Sequence, residues 1–534
     1  MQQLTNSHGT LNPLLLLKNF SDSSSFNTRQ IKEYHDQLLF LKAFPPNKKT
    51  EAAANCELEK IASVTKQAKP SLYSGLCGDG IAHTEIICNY SLTLTTWLTE
   101  KFTHSVSLHS SGADAETIRN TLQLLCPFAE FEKITQGNMS LAGRIKAITG
   151  IIHPTAQLAW LLNIFTNSKL TLLLKEELFR QLKIFIRWKI GSPGWSRTFL
   201  HFNTGKTFYQ PNIIRRVNLN KIINKKINYP NTLSGTQQKD LNDVIKTSLA
   251  LLCRETDPVT YSDEGAVQLF NMGRGIDIAL LYLQKDKRLS LESYIGYMAF
   301  KNGLPVSYGG GWIFGNRCKI GINIYPAFRK GESALLFSNI LRLYSQYFKL
   351  DYFHVNPYQF GKGNPEGIKS GAFWFYYRLG FKPVEKDIKL LAQTEWNKML
   401  TNKNHRTPVP VLKKFTSCPV ALHLNKKPVI PITAPELSSA ISNHINKFYN
   451  GIRQEAVKQG LKKLKNKVNF HGFNKTTALV CLIADATGSL TLNEKKDLVK
   501  TLMLKNNKKE TDFIFGLQKC KAFWKLLKAI KINE

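Results

Sequence analysis

The segment Lys319–Phe348, KIGINIYPAFRKGESALLFSNILRLYSQYF, decides how the chain is read. Lys319–Tyr325 reads as a strand and Pro326–Lys330 as a turn. From about Gly331 to Phe348 the residues Leu336, Ile340, Leu343, Tyr344 and Tyr347 form the apolar stripe of a helix. A strand that turns straight into a helix sets that helix's unpaired first amides, and their partial positive charge, beside the strand end, where an anion is favoured. Upstream, Ile276–Leu283, Tyr294–Phe300 and Pro305–Phe314 read as strands. The turn Lys301-Asn302-Gly303 joins the last two, since Asn-Gly readily takes positive φ, and Gly315-Asn316 leads on to Lys319–Tyr325. Downstream come a strand Tyr352–Asn356, a glycine-rich loop Gly361–Gly367, a helix Ile368–Leu379 and a strand Phe381–Val384. The order β-β-β-α-β-α-β predicts an α/β region over residues 255–390.

On either side the pattern is helical. Residues 1–30 are rich in Ser and Asn and are expected to be loose. Residues 31–254 read as a mainly helical domain, with helical spacing over Ile31–Leu41, Thr117–Leu125, Leu158–Lys189 and Leu241–Arg254. Leu172, Leu173, Leu178, Leu182, Ile184 and Ile186 are expected in the core of a helical bundle. Residues 391–434 carry several prolines and read as a linker. Residues 435–534 read as a basic helical domain. There Ile445–Val468 bears Lys447, Lys458, Lys462, Lys465 and Lys467 on a solvated face, and the final helix docks Phe523, Trp524, Leu526 and Leu527 into a core.

The composition is globular: 43% hydrophobic, 11% aromatic and 21% charged residues in a chain of 534 exclude a wholly disordered protein. Nine cysteines without any C-x-x-C pair argue against zinc ribbons and thioredoxin-like chemistry, and no metal is expected. Their irregular spacing suits free thiols in a reducing compartment. The run Leu14–Leu17 is too short for a signal peptide. The stretch Ala147–Phe165 is interrupted by Gly150, His153, Pro154, Gln157 and Asn163, where a spanning helix needs about 20 mostly apolar residues. A soluble, cytoplasmic protein follows as the expectation. The net charge of +35 would attract nucleic acid, anionic membranes or acidic partners. The joint excess of Lys, Asn and Ile reads equally well as a codon bias, and no nucleic-acid reader motif accompanies the charge, so nucleic acid is not the favoured partner.

Residues 255–390 resemble the GNAT N-acetyltransferase superfamily. Lys319–Tyr325, the turn Pro326-Ala327-Phe328-Arg329-Lys330-Gly331 and the following helix look like the family's pyrophosphate-binding strand–turn–helix. Phe375-Tyr376-Tyr377-Arg378-Leu379-Gly380-Phe381 looks like its aromatic-Tyr-x-x-Leu-Gly-Phe signature. The resemblance implies a mixed, mostly antiparallel sheet with flanking helices. It also implies acetyl-CoA or another acyl-CoA as co-substrate, held by Ile324, Tyr325, Arg329, Lys330, Gly331, Ser333 and Ala334, and Tyr376 as the acid that protonates the departing thiolate. With an ordinary phenol pKa near 10, Tyr376 has that proton to give at neutral pH. Glu332 stands where the family motif has glycine, and Lys369 where it often has asparagine. A carboxylate facing a pyrophosphate would repel it, whereas an acid in a first helical turn favours the helix dipole.

A general base for an attacking amine is expected in Glu292 or His354. Tyr308-Gly309-Gly310-Gly311-Trp312 is unusual for a strand: three glycines imply either a groove for substrate or a close crossing by a helix. The function expected is acyl transfer to an unidentified amine. Two alternatives stand beside it: a transferase that takes aminoacyl-tRNA as donor, and a non-catalytic scaffold of the same fold.

Overall fold

The computed structural model describes residues 27–425, 433–464 and 490–532. The expectations for the first 26 residues, and for Lys465 and Lys467, lie outside these. The architecture is mixed α/β around a mostly antiparallel open sheet. Its strands are β4 (Gln268–Gly273), β5 (Ile276–Tyr282), β6 (Ser293–Lys301), β7 (Leu304–Phe314), β8 (Arg317–Ile320), β9 (Asn323–Ile324), β10 (Tyr352–Val355), β11 (Lys382–Pro383) and β12 (Val420–His423). The spatial order is β11-β12-β10-β8-β7-β6-β5-β4, with β9 also pairing β7. Every pairing is antiparallel except β8 with β10. A second sheet, β1 (Glu85–Asn89), β2 (Val106–Ser111) and β3 (Ile184–Lys189), has the order β1-β3-β2 and lies in the N-terminal region. The apolar core runs without a break from Ile31 to the main sheet.

The helices that matter here are α1 (Thr28–Ala43), α2 (Pro154–Asn167), α3 (Leu172–Gln181), α4 (Gly235–Ala250), α5 (Ser333–Phe348), α6 (Ala372–Arg378) and α7 (Lys386–Thr401). Helix α1 begins with a capping box, in which the Asn27 side chain accepts from the Gln30 amide and the Gln30 side chain from the Asn27 amide. Helix α4 begins in the same way with Ser234 and Gln237. Helix α5 lays Phe337, Ile340, Leu341 and Tyr344 on one face of the sheet, all of them fully buried. The Tyr344 hydroxyl donates to the Ile295 carbonyl at 2.7 Å.

Several expectations need correction. Leu158–Lys189 is not one helical stretch but α2, α3 and then β3. Lys183, with φ of +47°, turns the chain, and Ile184, Ile186 and Trp188 alternate with more exposed residues at the period of a strand. Ile184 and Ile186 are therefore sheet core, while Leu172 and Leu173 are exposed. The helix expected at Ile368–Leu379 is split by Gly371, in the left-handed region at +64°, into Pro365–Lys369 and α6. The segment from Leu390 to Ala434, expected as a connection, carries most of α7 and also β12. That strand enters the main sheet between β10 and β11. Its Val-Ala-Leu-His is too short for a periodic signal, and only its pairing partners make it a strand. Ile445–Val468 breaks at Asn450 and Gly451, both with positive φ. The terminal helix does dock in a core, with Phe523 and Trp524 edge-on to Phe314 at 6.1 and 5.5 Å.

One buried ion cluster fixes the turn before α5. Glu332 and Lys301 are both almost wholly buried. The Glu332 carboxylate takes Lys301 Nζ at 3.4 Å, Arg274 at 3.1 Å and the Ile214 amide at 3.1 Å. Lys301 also donates to the Gln210 side chain at 2.8 Å and to the Arg274 carbonyl at 2.7 Å. Burial holds the Lys301 amine down to about 8, against the pull of Glu332. Glu332→Gln should cost about 3 kcal/mol of stability at neutral pH, because it leaves a buried cation without its counter-charge. Without Glu332 the folded-state pKa of Lys301 drops further, while the unfolded lysine keeps its proton to about 10.4. Between those values the unfolded chain binds more protons, so the variant regains stability as pH rises. Urea unfolding at about pH 7 and about pH 9.5 tests this; a pH-independent loss would contradict it.

Candidate functional site

The site begins where the β8–β10 ladder stops. These strands pair in parallel only over Arg317–Lys319 and Tyr352–His354. Beyond Ile320 the chain leaves β10, and at Asn323–Ile324 it joins β7 as β9. Gly321 and Ile322 sit at the break. The Gly321 carbonyl accepts from the buried Tyr297 hydroxyl at 2.6 Å. The Gln359 side chain lies against the Cα of Gly321, at 2.8 Å from where a Cβ would stand. The Ile322 amide faces the phenol oxygen of Tyr376 on α6. Tyr376 is 2% exposed and sits among Phe337, Phe360, Phe375 and Phe381. Burial raises its pKa above the ordinary phenol value, so it stays protonated.

The turn after β9 supplies the second part. No side chain caps α5, so its first amides lack the acceptor that an N-cap provides. Arg329 is exposed and meets the exposed Glu366 at 3.5 Å, bridging the turn to the short helix Pro365–Lys369; such a solvated pair is weak and exchangeable. The Ser333 hydroxyl donates back to the Arg329 carbonyl. Glu332, the residue whose carboxylate would repel a pyrophosphate, points away from this turn into its cluster with Lys301 and Arg274.

The remaining expected donor-side residues divide. Ser333, Ala334, Arg329 and Lys330 lie at the helix start. Gly331 serves packing instead: a Cβ there would stand 2.6 Å from the ring of Phe44, just past the end of α1. Tyr325 is buried, its hydroxyl 3.1 Å from Ser248 of α4 and its ring 5.7 Å from Tyr308. Ile324 and Ser333 share a crevice with Phe44, Lys301 and Phe328.

The glycine run of β7 is filled by the protein's own rings. Added Cβ atoms would meet the Tyr297 hydroxyl at Gly309, Tyr294 at Gly310 and Tyr344 at Gly311, each at 2.5 Å. A crossing helix thus accounts for Gly311. Tyr308 and Trp312 lie half-exposed on the sheet face opposite α5.

On that opposite face the register aligns Tyr294, Trp312, Lys319, His354, Ala421 and Lys382 across successive strands. Tyr294 stacks on Trp312 at 4.0 Å, and Lys319 Nζ lies 4.3 Å over the same indole. Burial, with Arg317 and Lys319 nearby, holds the His354 imidazole down to about 3, so it is neutral, and its Nδ1 has no hydrogen-bond partner. Burial raises the Glu292 carboxyl, while Lys319, Arg317 and Lys505 oppose the rise. Both expected bases thus face the same two cations, on the side of the sheet away from α5.

The sequence reading missed the Ile322 amide, Gln359, Lys319, Arg317 and Glu366. Gly321 was the available signal: a glycine inside an expected strand marks a bulge or a close approach. Among the described residues, no group of three His, Cys, Asp or Glu side chains could hold a metal, and no helix is long and apolar enough to cross a membrane. No family model, curated protein or solved structure matches the chain.

Proposed function

We propose that the chain is an acyl-CoA-dependent N-acyltransferase of the GNAT type. The observation that carries this reading is the separation of β8 from β10 beside an uncapped helix start, with a protonated buried phenol and a backbone amide facing each other at the break. The α5 amides and Arg329 would hold the donor's pyrophosphate, with Glu366 released from Arg329 in exchange. The Ile322 amide would donate to the thioester carbonyl oxygen as negative charge builds there. The amine nitrogen bonds to the carbonyl carbon, the carbon–sulfur bond breaks, and Tyr376 gives its proton to the departing sulfur. The amine approaches from the face that bears Tyr294, Trp312, Lys319 and His354. Lys319 and Arg317 disfavour a charged ammonium there, so the amine is taken up neutral. Its surplus proton passes to Glu292 or to water.

The charge of +35 favours a second reading, in which aminoacyl-tRNA is the donor. Thermal unfolding separates the two. Acetyl-CoA at about 100 times its Kd should stabilise the protein by about 2.7 kcal/mol, and Arg329→Ala should weaken that response. A shift with tRNA alone would transfer the reading to the second donor. No shift with either would leave a non-catalytic scaffold.

Tyr376→Phe should lower kcat by about 100-fold or more while leaving the acetyl-CoA KM and the melting temperature in place. Unchanged turnover would remove Tyr376 from the mechanism. Because His354 is neutral down to about pH 3, His354→Gln should leave the pH–rate profile between about pH 5 and 8 without a change of inflection. An inflection near the ordinary histidine value that vanishes in this variant would make His354 the base.

A further inference from the structure

Cys88 lies in β1, and Cys253 lies in the turn that follows α4. Three contacts lay these two segments side by side. The Tyr90 hydroxyl donates to the Ala250 carbonyl at 2.6 Å, the Ser91 amide donates to the Glu255 carboxylate at 3.0 Å, and the Ser91 hydroxyl reaches the same carboxylate. Between these anchors the two thiols lie close enough to act on each other electrostatically, with the Tyr90 hydroxyl beside both. Cys253 is exposed and Cys88 half-buried, so a small oxidant reaches the outer sulfur first. Cys253 itself has φ of +51°, a conformation that a side-chain-bearing residue adopts only when its surroundings hold it there.

We infer that Cys88 and Cys253 form a reversible dithiol–disulfide pair, oxidised by a hydroperoxide. In the first step the Cys253 thiolate attacks the peroxide oxygen. A sulfur–oxygen bond forms, the oxygen–oxygen bond breaks, and hydroxide or an alkoxide leaves. In the second step the Cys88 sulfur attacks the Cys253 sulfenic acid. The sulfur–sulfur bond forms, the sulfur–oxygen bond breaks, and water leaves with the proton from Cys88. Two electrons pass from the two sulfurs to one peroxide. The order of attack follows from the contacts. The neighbouring Cys88 thiol, with the Tyr90 hydroxyl beside it, holds the Cys253 pKa down to about 7 against burial, whereas Cys88 is pushed up. The bond would tie the small N-terminal sheet to the end of α4, whose Ser248 meets Tyr325 at the start of the turn after β9.

The test uses the reduced full-length protein, treated with hydrogen peroxide, alkylated and digested without reductant. The expected product is a peptide linking Cys88 to Cys253, with the intact mass lower by two hydrogens and restored by dithiothreitol. Cys88→Ser should abolish the link and leave Cys253 as a sulfenic acid that dimedone labels. Should that variant fold poorly, the native protein gives an independent readout: the rate of Cys253 alkylation by iodoacetamide should rise with a midpoint near pH 7, where an ordinary thiol needs about 8.5. Oxidation of native Cys253 to sulfinic acid without the linked peptide, dimedone labelling equal in the native and Cys88→Ser proteins, or a preferred link from Cys253 to another cysteine would each overturn the inference.

Discussion

The carboxylate of Glu332 holds together parts of the chain that are far apart in sequence. Lys301 comes from the end of β6, Arg274 from the β4–β5 turn and the Ile214 amide from the N-terminal region, and all three converge on one buried anion. A buried carboxylate and a buried ammonium each cost several kcal/mol to remove from water, and only mutual contact and further hydrogen bonds offset that cost. Gln210 and the Arg274 carbonyl complete the shell of Lys301. The arrangement specifies one geometry, because any other leaves a charge buried and unpaired. It also sets where α5 starts. With its side chain turned into the cluster, Glu332 neither caps the helix nor covers its first amides.

That fixed helix start matters because of the break in the neighbouring ladder. A continuous β8–β10 pairing would have used every backbone amide at this point in the sheet. Instead Gly321 gives its carbonyl to Tyr297, and the strand resumes only on the β7 side. The three glycines of β7 are part of the same device. They admit the rings of Tyr294, Tyr297 and Tyr344 against the sheet, and the ring of Tyr297 then reaches the Gly321 carbonyl. A strand built to receive aromatic side chains on both faces holds its neighbour's bulge in place.

How far all this was readable from the residues varies with the range of the interaction. The β6–β7 hairpin, α1, α4 and α5 were readable because turn residues and apolar stripes are local signals. β3 was submerged in a helical reading although Ile184, Ile186 and Trp188 alternate, since a six-residue alternation beside a long leucine-rich stretch is easily absorbed by the longer period. β12 had no local signal, because its place between β10 and β11 is set by partners distant in the chain. At the site, Tyr376 and the turn could be located from their neighbours. The direction of Glu332 could not, since a glutamate in a first helical turn satisfies the dipole equally well from outside or inside. Its burial is decided by Lys301 and Arg274, which nothing near residue 332 announces.

The net charge needs the same separation of local from global causes. Three buried cations show how such charges are held: Arg288 by Glu510 and by the carbonyls of Asn507 and Lys508, Lys505 by Glu510, and Arg144 by the carbonyls of Ile134, Gln136 and Gly137. Only six Lys and Arg are buried among the described residues, beside five buried Asp and Glu, so the positive excess of these residues lies outside the core, where salt screens it beyond about 10 Å. Net charge by itself raises encounter rates with any polyanion but locates no site. Lys319 and Arg317 act differently. They stand beside a half-buried histidine and a half-buried glutamate, on a strand whose register fixes their positions; burial moves both neighbours most, and the two cations add to it at His354 and oppose it at Glu292. Two cations held by a sheet thus carry more chemical information than the whole surface excess, because burial lowers the effective dielectric through which they act.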